Sequence, residues 1–118
     1  CMKILIMDDS SSRRGQVSEA VEKLSHEVVT CSTTNDFITN LEEVEPQMVV
    51  VDMDTWKKGK SIYNYFHIGK KLEKLPVILY NAEEDTYFIP ERTRNENDRI
   101  LPKPTDIEAI IDSIQESA

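Results

Sequence analysis

Long apolar segments are missing from this 118-residue sequence, and glycine, proline and cysteine are scarce. No run approaches the ~18 consecutive apolar residues that a membrane-spanning helix needs. The 3 Gly and 5 Pro are too few for a collagen-like or low-complexity chain. The first apolar run ends at Asp8 and Asp9, too early for the core of a secretory signal peptide. We therefore expect a cytoplasmic protein that does not contact a membrane.

Basic residues are also too few for a nucleic-acid-binding surface. The 14 Lys and Arg residues are outnumbered by 22 Asp and Glu, and the formal net charge is −8. Binding to phosphate backbones requires clustered positive charge, so we expect no nucleic acid as a ligand. The two cysteines, Cys1 and Cys31, lack metal-ligand spacing and suit a reducing compartment. Cations and basic protein surfaces remain possible partners of so acidic a chain.

The sequence does contain a repeated alternation of apolar runs and amphipathic segments. Strands buried on both faces are predicted at residues 3–7, 28–31, 48–51, 76–80 and 99–101. Amphipathic helices are predicted around residues 17–24, 34–44, 62–72 and 105–114, with Thr34 as one cap and Thr105 and Glu108 as a capping box. Residues 82–98 are expected to hold a weak or irregular fourth helix. The alternation predicts an α/β fold with a doubly wound parallel sheet.

Polar residues stand at four strand ends that would share one edge of this sheet. Asp8 and Asp9 follow the first strand, Asp52 ends the third, Asn81 ends the fourth, and Lys103 follows the fifth. Ligands of such sheets bind beyond the carboxyl ends of the strands. Clustered carboxylates repel one another, and Mg²⁺ relieves the repulsion while keeping positions for phosphate oxygens. Taken singly, each residue is equally well explained as a turn, a cap or a strand end; their joint placement indicates a magnesium and phosphate site.

Four segments resemble the receiver domain of bacterial two-component response regulators: residues 4–9, 49–52, 75–82 and 100–104. The intervals of 43 residues from Asp9 to Asp52, 29 to Asn81 and 22 to Lys103 are close to those of the family. Met2 resembles an initiator methionine, and the resemblance covers one domain over residues 2–118. It implies a flavodoxin-like, five-stranded sheet with strand order 2-1-3-4-5. It also implies a signalling domain and no enzyme, with at most self-phosphorylation and autodephosphorylation.

The resemblance assigns roles to the acidic residues. Asp52 would accept a phosphoryl group from a sensor histidine kinase or a phosphotransfer protein. Asp8, Asp9 and Asp52 would bind Mg²⁺ together with the backbone carbonyl of Asp54. A carboxylate nucleophile flanked by a metal ion and a lysine is chemically suited to in-line phosphoryl transfer. This hypothesis requires the acids to converge around one magnesium ion, with Asp52 open to Lys103 and to water.

The remaining assignments concern the phosphoryl group and the readout. Lys103 and Asn81 would stabilise the phosphoryl group, and the Lys103–Pro104 peptide bond would be cis. Two switch positions depart from the family: Asn81 replaces the usual Ser or Thr, and Ile100 replaces the usual aromatic residue. The family uses the face of its fourth helix, fifth strand and last helix to bind downstream proteins, and we expect a protein partner there.

Two other functions are compatible with the sequence. The atypical Asn81 and Ile100 favour a pseudo-receiver, which would bind a protein partner without phosphorylation. Residues 52–55 also resemble the first motif of haloacid-dehalogenase-type phosphatases, with Asp52 as nucleophile and Asp54 as general acid. Those enzymes place this motif near the start of the chain and a second acidic pair after it, whereas the pair here comes first.

The residues just after Asp54 have two interpretations each. A solvated loop or a docking patch is expected for Lys57, Lys58 and Lys60. Trp56 is interpreted as a gate to Asp52 or a cover for apolar surface.

Overall fold

The structure is a computed structural model of the chain, and it describes residues 2–58, 72, 74–82 and 96–117. The strands are β1 (Lys3–Met7), β2 (Glu27–Cys31), β3 (Met48–Asp52), β4 (Val77–Ala82) and β5 (Arg99–Pro102). The described helices are α1 (Ser11–Glu22), α2 (Thr34–Val44), α3 (Met53–Lys58) and α4 (Ile107–Ser117). The strands form one parallel sheet in the order β2-β1-β3-β4-β5. The predicted doubly wound α/β fold with strand order 2-1-3-4-5 is confirmed.

Both faces of the sheet are covered, which explains the uninterrupted apolar character of the central strands. Successive side chains of a strand lie on opposite faces, and β1 divides accordingly. Ile4 and Ile6 belong to a cluster that contains the buried valines of α1 and the buried isoleucines of α4. Leu5 and Met7 belong to the cluster on the other face, which contains Phe37 of α2 and residues of α3. All five residues of β3 are buried, so β3 is the central strand that its sequence predicted.

Two predicted helix starts are wrong in detail. Thr33 is the N-cap of α2, because its side chain accepts a hydrogen bond from the Asp36 amide, and Thr34 is the first helical residue. Helix α4 begins at Ile107, and the Thr105 hydroxyl is engaged elsewhere: it donates to the Pro102 carbonyl at 2.8 Å and accepts from the Asn81 amide at 2.9 Å. The capping box is absent because tertiary partners compete for the same hydroxyl.

Helix α3 follows β3 without an intervening loop, which the sequence analysis did not predict. The helix predicted at residues 62–72 and the irregular segment at 82–98 lie mostly outside the described residues, so both stay predictions. Among the residues that the structure describes, no helix has both the length and the apolarity needed to cross a membrane.

Candidate functional site

Three of the predicted site residues meet at the carboxyl edge of the sheet. Strands β1 and β3 are neighbours with Met7 paired to Val51, so the residues that follow them lie side by side. Asp8, Asp9 and Asp52 each place one carboxylate oxygen within 4.8 Å of the others. Asp8 and Asp52 are completely buried, whereas Asp9 is exposed. The convergence of the acids that the hypothesis requires is therefore present.

Arg13, in the first turns of α1, lies between the two buried carboxylates. Its Nε is 2.5 Å from Asp8 Oδ2 and its Nη2 is 2.8 Å from Asp8 Oδ1, a bidentate pair. The same Nη2 donates to Asp52 Oδ2 at 3.1 Å. Two buried like charges need a counter-ion, and the planar fork of a guanidinium matches a carboxylate better than an ammonium does. The hydrogen bonds to Asp8, more than the neighbouring charges, raise the pKa of Arg13.

The Asp8 carboxylate has all of its acceptor positions filled by the chain. Oδ1 accepts from the Ser10 amide at 2.9 Å and from Arg13. Oδ2 accepts from Arg13 and from the Tyr80 hydroxyl. An ionised carboxylate offers about four lone-pair sites, and these four bonds use them. Burial first, and the hydrogen bond to Asp8 second, raise the pKa of Tyr80, so its phenol remains a donor.

The two oxygens of Asp52 have different surroundings. Oδ2 accepts three hydrogen bonds, from Arg13 at 3.1 Å, the Thr55 amide at 3.2 Å and the Thr55 hydroxyl at 2.7 Å. Oδ1 accepts from the Asn81 side-chain amide at 3.2 Å. Thr55 also fixes Asp9, because its hydroxyl accepts from the Asp9 amide at 2.9 Å. Oδ1 is thus the less occupied oxygen of Asp52.

The two lysines of the site pair with the outer acids. Lys103 Nζ is 3.1 Å from Asp54 Oδ2, and Lys58 Nζ is 2.5 Å from Asp9 Oδ2. The hydrogen bond from Lys58 is the main reason why the pKa of Asp9 is lowered, and it raises the pKa of Lys58 in turn. Both pairs are solvent-accessible, so they contribute little to stability. Lys58 is exposed to solvent as expected, but it is the last residue of α3 and not part of a loop.

The second requirement of the hypothesis is not met in the described state. The Asp52 side chain has no exposed surface, and the described contact of the Lys103 ammonium is with Asp54. Asp54 stands in the first turn of α3, where backbone carbonyls accept from amides four residues ahead, so the carbonyl assigned to Mg²⁺ is directed along the helix. The Lys103–Pro104 peptide bond is cis, at the position where the resemblance implies one.

The two atypical switch positions have distinct environments. Asn81 has a φ of 56°, in the left-handed region that asparagine tolerates better than most residues, at an irregularity in the pairing of β4 with β5. Ile100 is partly buried and packs against the apolar cluster that contains Trp56. Trp56 itself is 3% exposed and meets the Phe37 ring edge-on at 6.2 Å, so it covers apolar surface.

Sequence reasoning missed Arg13, Tyr80 and Thr55 as site residues. Arg13 stands five residues after Asp8, close to the start of α1, but exposed arginines at such positions are common. Tyr80 directly precedes Asn81 on β4. The centroid of its ring lies 6.0 Å from the Arg13 guanidinium carbon. A polar hydroxyl in an otherwise apolar strand was the available signal, because a buried tyrosine hydroxyl usually has a partner.

The donor set fits a hard divalent cation. Three carboxylates on rigid strand ends supply oxygen ligands within the required span, and Mg²⁺ usually takes one or two carboxylates and completes its shell with water. Asp9 and Oδ1 of Asp52 retain acceptor capacity. Asp8 can serve as a ligand only after one of its four present donors has left.

Comparisons with known proteins identify the family and the fold. The family described as response regulator receiver domain matches residues 4–115. The chemotaxis response regulator CheY4 of Vibrio cholerae is 17% identical, with a TM-score of 0.73 and 98% of each chain covered. The response regulator PhyR from Brucella abortus is 21% identical, with a TM-score of 0.73; 99% of this chain and 47% of that chain are covered. NtrX from Brucella abortus, in complex with ADP, is 20% identical, with a TM-score of 0.74.

The chain spans 26% of the length of that NtrX chain. At these identities the structural likeness concerns the fold. A search of curated protein sequences found no match.

Proposed function

This chain belongs to the response regulator receiver domain family, and we propose that it accepts a phosphoryl group on Asp52 in a magnesium-dependent reaction. The observation that carries the proposal is the placement of Asp52 at the end of the central strand. One of its carboxylate oxygens lies within 4.8 Å of carboxylate oxygens of Asp8 and Asp9, close enough for all three to bind one ion. Receiver domains interact with histidine kinases or phosphotransfer proteins, and we propose such a protein as the donor. The proposed place of this reaction is the cytoplasm.

Oδ1 of Asp52 is the proposed nucleophile because it accepts one described hydrogen bond, whereas Oδ2 accepts three. Oδ1 attacks phosphorus, the bond from phosphorus to the histidine nitrogen breaks, and the imidazole leaves with the electron pair. The side-chain amide of Asn81, whose Nδ2 is 3.2 Å from Oδ1, is placed to donate to an oxygen of the incoming group. When bound, Mg²⁺ supplies neutralisation of the phosphoryl oxygens.

The described state is closed to this reaction, so two side chains have to move. We propose that Arg13 moves first, because its side chain is 33% exposed while those of Asp8 and Asp52 have no exposed surface. Lys103 can turn from Asp54 toward the phosphoryl group, since that ion pair is accessible to solvent. Both movements are rotations of long side chains and leave the sheet unchanged.

A second function is favoured by the same closure. If Arg13 stays in place, both buried acids remain paired with its guanidinium and the domain is a phosphorylation-independent interaction module. Its partner surface would be the family's usual one, of which β5 and α4 are described. The partly buried Ile100, Leu101, Ile107 and Ile111 supply apolar surface there.

The experiment is incubation with acetyl phosphate or phosphoramidate and Mg²⁺, followed by intact mass measurement. We expect a labile adduct of about 80 Da, the mass of one phosphoryl group. Asp52→Asn is expected to abolish the adduct, and Asp54→Asn is the matched control that keeps it. Absence of any adduct, together with backbone amide shifts that do not respond to beryllofluoride, would leave the interaction module as the function.

Downstream binding separates the two functions further. A phosphoryl-accepting switch binds its partner differently with beryllofluoride and without it. An interaction module binds equally in both conditions, and its Asp52→Asn variant binds as the parent does.

A further inference from the structure

Arg13 occupies the position between Asp8 and Asp52 at which a divalent cation would neutralise both. We propose that Arg13 is a resident cation of the acid pocket, and that Mg²⁺ binds Asp8 only by displacing the Arg13 guanidinium. This inference rests on the proposed magnesium site and adds a residue that controls access to it. The same displacement removes one of the three hydrogen bonds that Asp52 Oδ2 accepts.

Among the three residues described as donating to the Asp8 carboxylate, Arg13 is the one that can withdraw easily. The Ser10 amide is backbone at the N-cap of α1, and the Tyr80 hydroxyl belongs to a fully buried ring. Arg13 contributes two of the four hydrogen bonds from a side chain that is one-third exposed. A ligand site opens on both oxygens of Asp8 when that single side chain leaves.

Repulsion between the two cations supports exchange over joint occupancy. Asp8 and Asp52 carry two negative charges, and Arg13 already supplies one positive charge at 2.5–3.1 Å. A guanidinium and Mg²⁺ on the same two oxygens would be cations within about 4 Å of each other, where like charges repel strongly in a buried site. The two cations therefore exclude each other at Asp8.

The displaced guanidinium has a place to go. Arg13 also lines a groove of about 640 Å³ between the start of α1 and the start of α4. Asp106 and Glu108 line the same groove and offer carboxylates to a withdrawn guanidinium. Withdrawal therefore transfers the arginine from one acidic environment to another.

Arg14 provides a matched control. It carries the same charge in the same turn, and its Nη1 donates to the Asp8 backbone carbonyl at 2.9 Å, away from the carboxylate. R13Q and R14Q thus change the net charge equally, but only R13Q removes the competitor.

The test is isothermal titration of Mg²⁺ into the parent chain, R13Q and R14Q at fixed ionic strength. If Arg13 occupies the pocket for at least nine-tenths of the time, apparent affinity is reduced at least tenfold, so R13Q should bind Mg²⁺ about tenfold more tightly than R14Q. R13K, which keeps charge without the bidentate fork, should be intermediate. Equal affinities of R13Q and R14Q, or no Mg²⁺ binding by R13Q, would overturn the proposal.

A second measurement uses the parent chain, so it does not depend on how the variants fold. The Arg13 Nε–H resonance should shift when Mg²⁺ saturates the site, because its bond to Asp8 is broken. A resonance that stays unchanged at saturation contradicts displacement. The mass experiment is independent: an adduct with no Arg13 effect supports the proposed function alone, and an Arg13 effect with no adduct supports this inference alone.

Discussion

Asn81 and Thr105 hold each other by two reciprocal hydrogen bonds. The backbone amide of Asn81 donates to the Thr105 hydroxyl at 2.9 Å, and the backbone amide of Thr105 donates to Asn81 Oδ1 at 3.1 Å. The remaining end of the Asn81 side chain donates to Asp52. One side chain therefore connects the candidate phosphoacceptor with the loop that leads into α4. The Ser or Thr that is usual in the family has a single hydroxyl and lacks the separate amide nitrogen and oxygen that make these two bonds.

Asn81→Thr introduces the residue type usual in the family, and we expect it to destabilise this chain. Two side-chain hydrogen bonds of about 1 kcal/mol each are lost. A β-branched residue at a φ of 56° adds about 1–2 kcal/mol of backbone strain. The measurement is urea unfolding followed by the fluorescence of Trp56, the only tryptophan.

Asn81→Gly is the control that separates the two effects. Glycine adopts positive φ freely, so this variant loses the hydrogen bonds without the strain of a β-branched residue. We expect it to be more stable than Asn81→Thr. A threonine variant as stable as the glycine variant would show that the positive φ imposes no demand.

Thr55→Val tests the hydroxyl that joins Asp9 to Asp52. The substitution keeps the shape of the side chain but leaves the Asp9 amide without its acceptor and removes a donor from Asp52 Oδ2. A loss of about 1–3 kcal/mol in the free energy of unfolding is expected. Thr55→Ser, which keeps the hydroxyl, should lose less than half as much. A loss in Thr55→Ser as large as that in Thr55→Val would mean that the methyl group contributes as much as the hydroxyl, which contradicts the prediction.

Alkaline pH should weaken the fold through groups that are buried in their protonated form. Burial raises the pKa of the Cys31 thiol from 9.0 to about 12. The stability that depends on the protonated thiol is therefore complete below pH 9 and is lost between pH 9 and about 12. Each such group steepens the fall by up to about 1.4 kcal/mol per pH unit. Tyr80, whose pKa is also raised, acts in the same direction.

Unfolding free energies of the parent chain and Cys31→Ala between pH 8 and 11 measure this contribution. The alanine variant starts from a lower stability because it leaves a small cavity, but its stability should fall less steeply above pH 9. Parallel curves would mean that the thiol ionises in the folded state as readily as in the unfolded chain.

The fold followed from local sequence patterns to a large extent. The apolar runs at β1, β3 and β4 predicted strands because a sheet covered on both faces requires them, and Asp52 was located because it ends the most apolar run. The partners of the acids did not follow, because Arg13 and Tyr80 meet Asp8 only once α1 and β4 are placed against β1. Thr105 shows the same limit: its local pattern indicated a cap, and a partner 24 residues away decided otherwise.

The ion pair between Asp54 and Lys103 supplies the last prediction. Because its side chains are 38% and 49% exposed, Asp54→Asn should change the free energy of unfolding by less than about 1 kcal/mol.

The same substitution releases Lys103 to turn toward Asp52. We therefore expect Asp54→Asn to acquire the phosphoryl adduct at least as fast as the parent, and Lys103→Met to acquire it more slowly. The initial rate of adduct formation from acetyl phosphate at saturating Mg²⁺ decides between outcomes. A slower Asp54→Asn would mean that Asp54 itself assists the reaction, and an unimpaired Lys103→Met would assign the neutralisation of the phosphoryl group to other cations of the pocket.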